Sequence, residues 1–203
     1  MPDELQSKYQ IYHVLGKGGF GLVFLAKEKK DDSQKVVIKY HYKVEVDGKN
    51  NLQDMITERK CLYRLNNVEG VVNMVSNILG ENSPYTVLQF FGESLQDYMT
   101  KKKKNNNNIS NISNISEYKM IKNIMTQIID VVLELYKRGI AHCDLKPSNI
   151  LIEKEQIKLC DFGVSSISEK SGNKFMTRVT TRQICPLEVY NDKENGAAYV
   201  EAE

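Results

Sequence analysis

The chain of 203 residues suits one domain or two small lobes sharing a cleft, and an apolar fraction of 41% is enough for a buried core. Its 28 basic residues face 26 acidic ones, a formal net charge of +2 without the basic excess expected of a general nucleic-acid binder. Cys61, Cys143, Cys160 and Cys185 form no CxxC pair or metal-ligand spacing, and no apolar run approaches a membrane span; the composition therefore predicts an intracellular, cytoplasmic or nuclear protein with free thiols and no membrane partner.

In chain order, residues 9–15, 22–27 and 35–40 are β-rich runs separated by glycine-containing and charged turns. Leu52, Met55, Ile56, Leu62 and Leu65 recur at helical spacing and predict an amphipathic helix over residues 52–65. Residues 71–79 and 85–91 read as strands, the second leading to Gly92, where the chain can pass between lobes. Residues 101–116, KKKKNNNNISNISNIS, are low complexity and predict a disordered surface insertion. Its Asn-Ile-Ser triplets read as accidental matches to the glycosylation pattern, since no secretory signal precedes them. A long helix is expected next, with Met120, Ile121, Ile124, Ile128, Val132 and Leu135 on one face, Ser116 as N-cap and Gly139 as stop. Short strands around residues 150–152 and 157–159 precede an irregular polar tail.

Four motifs carry chemistry. In GKGGFGLV, Gly16, Gly18, Gly21 and Val23 fall on a G-x-G-x-x-G-x-V frame, with Lys17, Gly19 and Phe20 filling it. Glycines let a backbone turn tightly and approach phosphate oxygens. A plain turn or a dinucleotide fold uses similar glycines, but the latter needs a following helix, and LVFLAK has the pattern of a strand. Lys39 ends the apolar run VVIK. On a strand it is either solvated or buried against an anion, and Glu58 lies beside the apolar stripe of the predicted helix, where it can serve as that anion.

The most specific motif is HCDLKPSNIL, residues 142–151, followed by Asp161-Phe162-Gly163. Here the chain resembles the eukaryotic protein kinase family, whose catalytic loop reads H-R-D-L-K-P-x-N; His142, Asp144, Leu145, Lys146, Pro147 and Asn149 match it. The resemblance covers about residues 9–190. It implies an α+β, bilobal fold, with a β-rich N-lobe over residues 9–91 and a partial helical C-lobe over residues 92–203. It further implies ATP and Mg²⁺ as cofactors and transfer of the γ-phosphate to serine or threonine of a protein substrate.

By residue type, Asp144 can accept or orient the substrate hydroxyl proton, and Lys146 can neutralise charge on the transferred group. Asn149 and, by resemblance, Asp161 are the Mg²⁺ ligands, and Lys39 paired with Glu58 reaches the ATP phosphates. Val23 and Val37 resemble the residues above the adenine and Leu151 the apolar residue below it, although ordinary core packing is equally consistent. LQFFGESL resembles the hinge of casein-kinase-type enzymes, which makes Leu88 the gatekeeper and lets Gln89 to Phe91 offer backbone groups to adenine. Leu62, Met74, His142 and Phe162 match the apolar column linking the lobes. DLKPSN is of serine/threonine type, Thr181 matches the threonine contacting the catalytic-loop lysine, and TRQICPLEV resembles a segment of SR-protein kinases, with Glu188 at the APE glutamate.

The pattern departs from the family in three places. Cys143 replaces the arginine of His-Arg-Asp, and a thiol cannot pair with an activation-loop phosphate. CPLE stands for A-P-E, and the sequence stops at Glu203, before the helices that complete the larger lobe. A partner chain completing that lobe, a non-catalytic module that binds nucleotide or a partner kinase, and a fragment are the alternatives to a self-sufficient kinase. His13 and His41 receive no role.

Overall fold

The structure is a computed structural model that describes residues 3–18, 21–30, 34–41, 45–46, 49–76, 84–105, 114–168, 174–177 and 198–201. The chain divides into two compact units: residues 1–66 with 72–90, and residues 67–71 with 91–203.

The first unit opens with a short helix α1 (Asp3–Lys8), followed by β1 (Tyr9–Gly18), β2 (Gly21–Glu28) and β3 (Lys35–His41). β4 (Glu45–Val46) and β5 (Lys49–Asn50) pair with each other before helix α2 (Asn51–Arg64), β6 (Met74–Ser76) and β7 (Tyr85–Gln89). The main sheet is antiparallel in the order β1-β2-β3-β7-β6. Strand alternation assigns its faces. Val36 and Ile38 join Ala26, Val87, Tyr9 and Leu5 in one buried cluster, so α1 closes that face through Leu5. Val37, Lys39 and His41 point to the opposite side, where α2 meets Lys39 through Glu58.

The segment after the glycine motif is strand β2, as LVFLAK requires, which removes the dinucleotide alternative. β6 is much shorter than the expected strand over residues 71–79: Val71 instead bridges Leu159 within the second unit, and residues 77–79 lie outside the described residues.

The second unit begins its regular structure with β8 (Glu93–Ser94), α3 (Leu95–Asn105) and α4 (Asn114–Lys137). There follow β9 (Ile140–Ala141), a 3-10 turn (Pro147–Asn149), β10 (Ile150–Glu153), β11 (Gln156–Leu159), β12 (Ser166–Ile167), β13 (Lys174–Thr177) and β14 (Ala198–Glu201). β11, β10 and β8 form a three-stranded sheet, while β12 pairs with β9 and β13 with β14. Ser94 starts α3 as a cap: its Oγ accepts the Asp97 N–H at 3.0 Å and donates to Asp97 Oδ2 at 2.6 Å.

The expected disordered insertion is corrected at both ends. Lys101 to Lys104 continue α3, with Lys101 on Glu93 at 2.6 Å and Lys102 on Glu117 at 3.2 Å. Lysine is a good helix former, and lysines in a last turn complement the helix dipole, so repetitive composition concealed an ordinary helix end. At the other end α4 starts at Asn114, which puts Ser116 inside the helix rather than at its N-cap. Residues 106–113 lie outside the described residues. Gly139 does stop α4: its φ of +68° suits glycine, and its N–H donates to Tyr136 O at 2.9 Å.

The buried face of α4 carries Ile124, Val131 and Leu135, whereas Ile121, expected in that face, is exposed. Gln127 joins α4 to the β10–β11 turn, donating to Glu155 O at 2.7 Å and accepting the Ile157 N–H at 3.0 Å. Among the described residues, no helix is long and apolar enough to cross a membrane.

Candidate active site

In the first unit the sheet register gathers the nucleotide-side candidates. Val23 lies opposite Lys39, which lies opposite Thr86; Leu25 lies opposite Val37, which lies opposite Leu88. Directly paired residues share a face, so Val23, Val37, Lys39 and Leu88 line one side. Gly16 pairs with Val23, Lys17 with Leu22 and Gly18 with Gly21; Gly19 and Phe20 lie outside the described residues. The glycines differ in their surroundings. A Cβ on Gly16 would meet nothing within 4 Å, whereas one on Gly21 would lie 1.8 Å from Tyr40 O. Gly16 thus leaves open space, and Gly21 permits the close approach of β2 to β3.

Lys39 Nζ meets Glu58 Oε1 at 2.9 Å, with Glu58 only 1% exposed. Leu62 is buried and Met74 half-buried in the same unit. Gln89 donates its N–H to Asn73 O at 2.8 Å, so that group is committed within the protein. Sequence reasoning missed His41, a buried residue whose Nε2 is 3.6 Å from Glu58 Oε2. Strand alternation held the signal: His41 lies two residues beyond Lys39 and shares its face.

In the second unit residues of the HCDLKPSNIL loop form one network. Asn149 Nδ2 donates to Asp144 O and to Asp144 Oδ2, both at 2.9 Å, and Lys146 Nζ meets the same Oδ2 at 2.8 Å. The loop is bonded to the Asp161 segment: Cys160 donates its N–H to Asn149 O at 3.0 Å, and His142 Nε2 lies 3.1 Å from Cys160 O. The His142 ring packs on Phe162 with centroids 4.7 Å apart, and Phe162 is fully buried. Asp161 takes a left-handed φ of +66°, uncommon for a residue with a side chain. With Asn149 Nδ2 turned to Asp144, its Oδ1 remains an oxygen donor. Asn149 and Asp161 together offer the hard donors that suit Mg²⁺, which keeps few protein ligands beside water and phosphate.

Leu151 is half-buried on β10 opposite Ser94 and Lys158, and Lys158 Nζ sits 5.3 Å from the ring centroid of half-buried Phe91. Cys143 also has a left-handed φ, +63°, and donates its thiol to Ala141 O at 3.4 Å. Burial raises its pKa, so the thiol stays protonated near neutrality. Ser165 and Ser166 are buried; Ser165 donates to His142 O at 3.1 Å. Ser171, Thr181, Cys185 and Glu188 lie outside the described residues.

The sequence matches the family described as "Protein kinase domain" over residues 9–199, and the chain belongs to that family. It is 30% identical over 186 residues to the "Carbon catabolite-derepressing protein kinase" of Candida glabrata, covering 91% of this chain and 28% of that protein. It is 32% identical over 176 residues to "Serine/threonine-protein kinase D3" of Mus musculus, covering 83% of this chain and 18% of that one. "CBL-interacting protein kinase 14" of Oryza sativa subsp. japonica is 30% identical over 167 residues, covering 81% and 35%. The chain therefore spans between 18% and 35% of the length of these curated relatives.

Proposed function

We propose that the chain is an ATP-dependent protein serine/threonine kinase. The observation that carries the reading is the Asp144 carboxylate, 5% exposed and held at Oδ2 by both Asn149 and Lys146. A carboxylate fixed in this way can take the proton of a substrate hydroxyl as its oxygen bonds to the γ-phosphorus. The bond from that phosphorus to the β–γ bridging oxygen breaks, and ADP leaves. Lys146, bonded to Asp144, balances negative charge on the transferred group. Lys39, oriented by Glu58, binds nucleotide phosphates, while Val23, Val37 and Leu88, on the same side of the sheet as Lys39, supply apolar contact to the base. Mg²⁺, when held by Asn149 and Asp161, would neutralise phosphate charge. Serine and threonine acceptors are supported by the DLKPSN loop and by the serine/threonine kinase named among the relatives.

The test is radiolabelled phosphate transfer from ATP–Mg²⁺ to a generic basic protein, with Asp161→Ala alongside. Transfer by the wild type and none by the variant is expected. Folded wild type that binds nucleotide without transferring phosphate would instead make the chain a regulatory binding module.

A further inference from the structure

Two residues with side chains turn the β10–β11 hairpin. Glu153 pairs with Gln156, which leaves a loop of Lys154 and Glu155, and both take a left-handed φ, +48° and +67°. A two-residue loop with both φ positive is a type I′ turn, whose preferred residues are Asn-Gly, Asp-Gly or Gly-Gly. Lys-Glu does not specify that turn, so contacts outside the hairpin have to hold it. They come from α4. Gln127 Nε2 donates to Glu155 O at 2.7 Å, its Oε1 accepts the Ile157 N–H at 3.0 Å, and Asn123 Nδ2 donates to Glu155 O at 3.3 Å. β11 is the outer strand of its sheet, and Gln127 takes the Ile157 N–H on the side where Gly70 O takes that of Leu159 at 2.8 Å.

Turn length fixes hairpin register, and the register decides which residues meet at the far end. There Ile150 pairs with Leu159, and the Cys160 N–H bonds to Asn149 O at 3.0 Å, one residue before Asp161. A slip of one residue is opposed by burial, because Ile157 and Leu159 would change face. A slip of two keeps the faces and enlarges the loop to residues 154–157, a length usually built around a type I turn. It would move Asp161 roughly 7 Å along β10, away from Asn149. Gln127 opposes that slip, since it binds residues 155 and 157 in the arrangement that makes Gln156 close the turn. We propose that Gln127 is a positioning residue: by bracketing residues 155–157 it holds the turn, and through the register it keeps Asn149 beside the Asp161 segment, where both can serve Mg²⁺. The metal half of this role rests on the kinase reading; the hold on the register does not.

Amide exchange tests that hold without any ligand. Gln127→Ala removes the bracket, and Lys154→Asn with Glu155→Gly supplies residues that take the turn unaided. In Gln127→Ala the Cys160 N–H should exchange roughly 3- to 10-fold faster, the worth of a side-chain hydrogen bond, while the α3 amides keep their wild-type rates. Adding the turn replacement should bring Cys160 back close to wild type. Faster exchange confined to residues 153–156 would make Gln127 a local brace, and equal acceleration in α3 would make it a general stabiliser; either overturns the proposal. Should Gln127→Ala fail to fold, the turn replacement alone decides. With Gln127 in place it should slow Cys160 exchange, and no slowing would mean that the turn does not govern the far end. In phosphate transfer, Gln127→Ala should raise the Mg²⁺ concentration for half-maximal rate several-fold, and the turn replacement should restore it. An unchanged requirement would refute the metal half. Wild type that transfers no phosphate, beside the expected exchange pattern, counts against the kinase reading and leaves Gln127 in its hold on the register.

Discussion

At His142 two backbone groups decide where a single proton sits. Its Nδ1 accepts the Asp144 N–H at 3.3 Å, which leaves Nε2 to carry hydrogen toward Cys160 O at 3.1 Å. That pattern needs a neutral ring. Burial pushes its pKa below the ordinary value, opposed by the Cys160 carbonyl and then by the Asp161 and Asp144 charges. In the unfolded chain the ring protonates near pH 6.5, so below that pH the unfolded state binds a proton that the folded state refuses. The stability tied to the neutral ring is full above about pH 6.5 and is lost as pH falls toward the lower folded value. Urea midpoints at pH 7.5 and 5.5 should therefore separate more in wild type than in His142→Phe, which has no ring proton to gain. Equal separation would mean that other groups carry the acid sensitivity.

Among the elements, α4 presents two apolar faces of opposite fate. Ile124, Val131 and Leu135 are buried, while Ile121, Met125, Ile129 and Leu133 recur every four residues along an exposed face, Ile129 at 54%. In this chain, Ile124→Ala should cost about 2–5 kcal/mol of unfolding free energy. Ile129→Ala should stay within about 0.5 kcal/mol, since an exposed side chain leaves no cavity. Denaturant unfolding of the two variants checks the contrast. The same helix explains what the sequence made legible. A run of apolar residues that long fixes a helix, but with apolar residues on both sides periodicity could not say which face is buried, hence the misplacement of Ile121. Helix α1 gave less to read: six residues with Leu5 as their one buried side chain are too short for any period to emerge. The lysines of α3 were hidden by the opposite problem, a composition too uniform to show a face.

For the whole molecule, the candidate catalytic motifs were legible because each needs particular residue types at fixed spacing, whereas His41 belongs to no motif and only its place two residues beyond Lys39 on a strand carried a signal. The proposed work divides between the two units. Lys39 and Glu58 belong to the first, and Asp144, Lys146 and Asn149 to the second. Substitutions in the two should therefore differ in kinetic kind. Asp144→Asn keeps the size of the side chain but removes the carboxylate that takes the proton, so kcat should fall by about 10²–10⁴-fold. Nucleotide affinity should hold within about two-fold, because binding is assigned to other residues. Lys39→Met should instead weaken ATP binding and lower turnover together. It also leaves a carboxylate 1% exposed with one cation fewer, and breaking a buried ion pair costs about 3–5 kcal/mol. The folded fraction of the Lys39 variant must accordingly be measured before its activity is compared. Equilibrium ATP binding beside steady-state kinetics separates the two patterns. If Asp144→Asn lost affinity as severely as Lys39→Met, Asp144 would be holding nucleotide, and its assignment as the proton acceptor would fall.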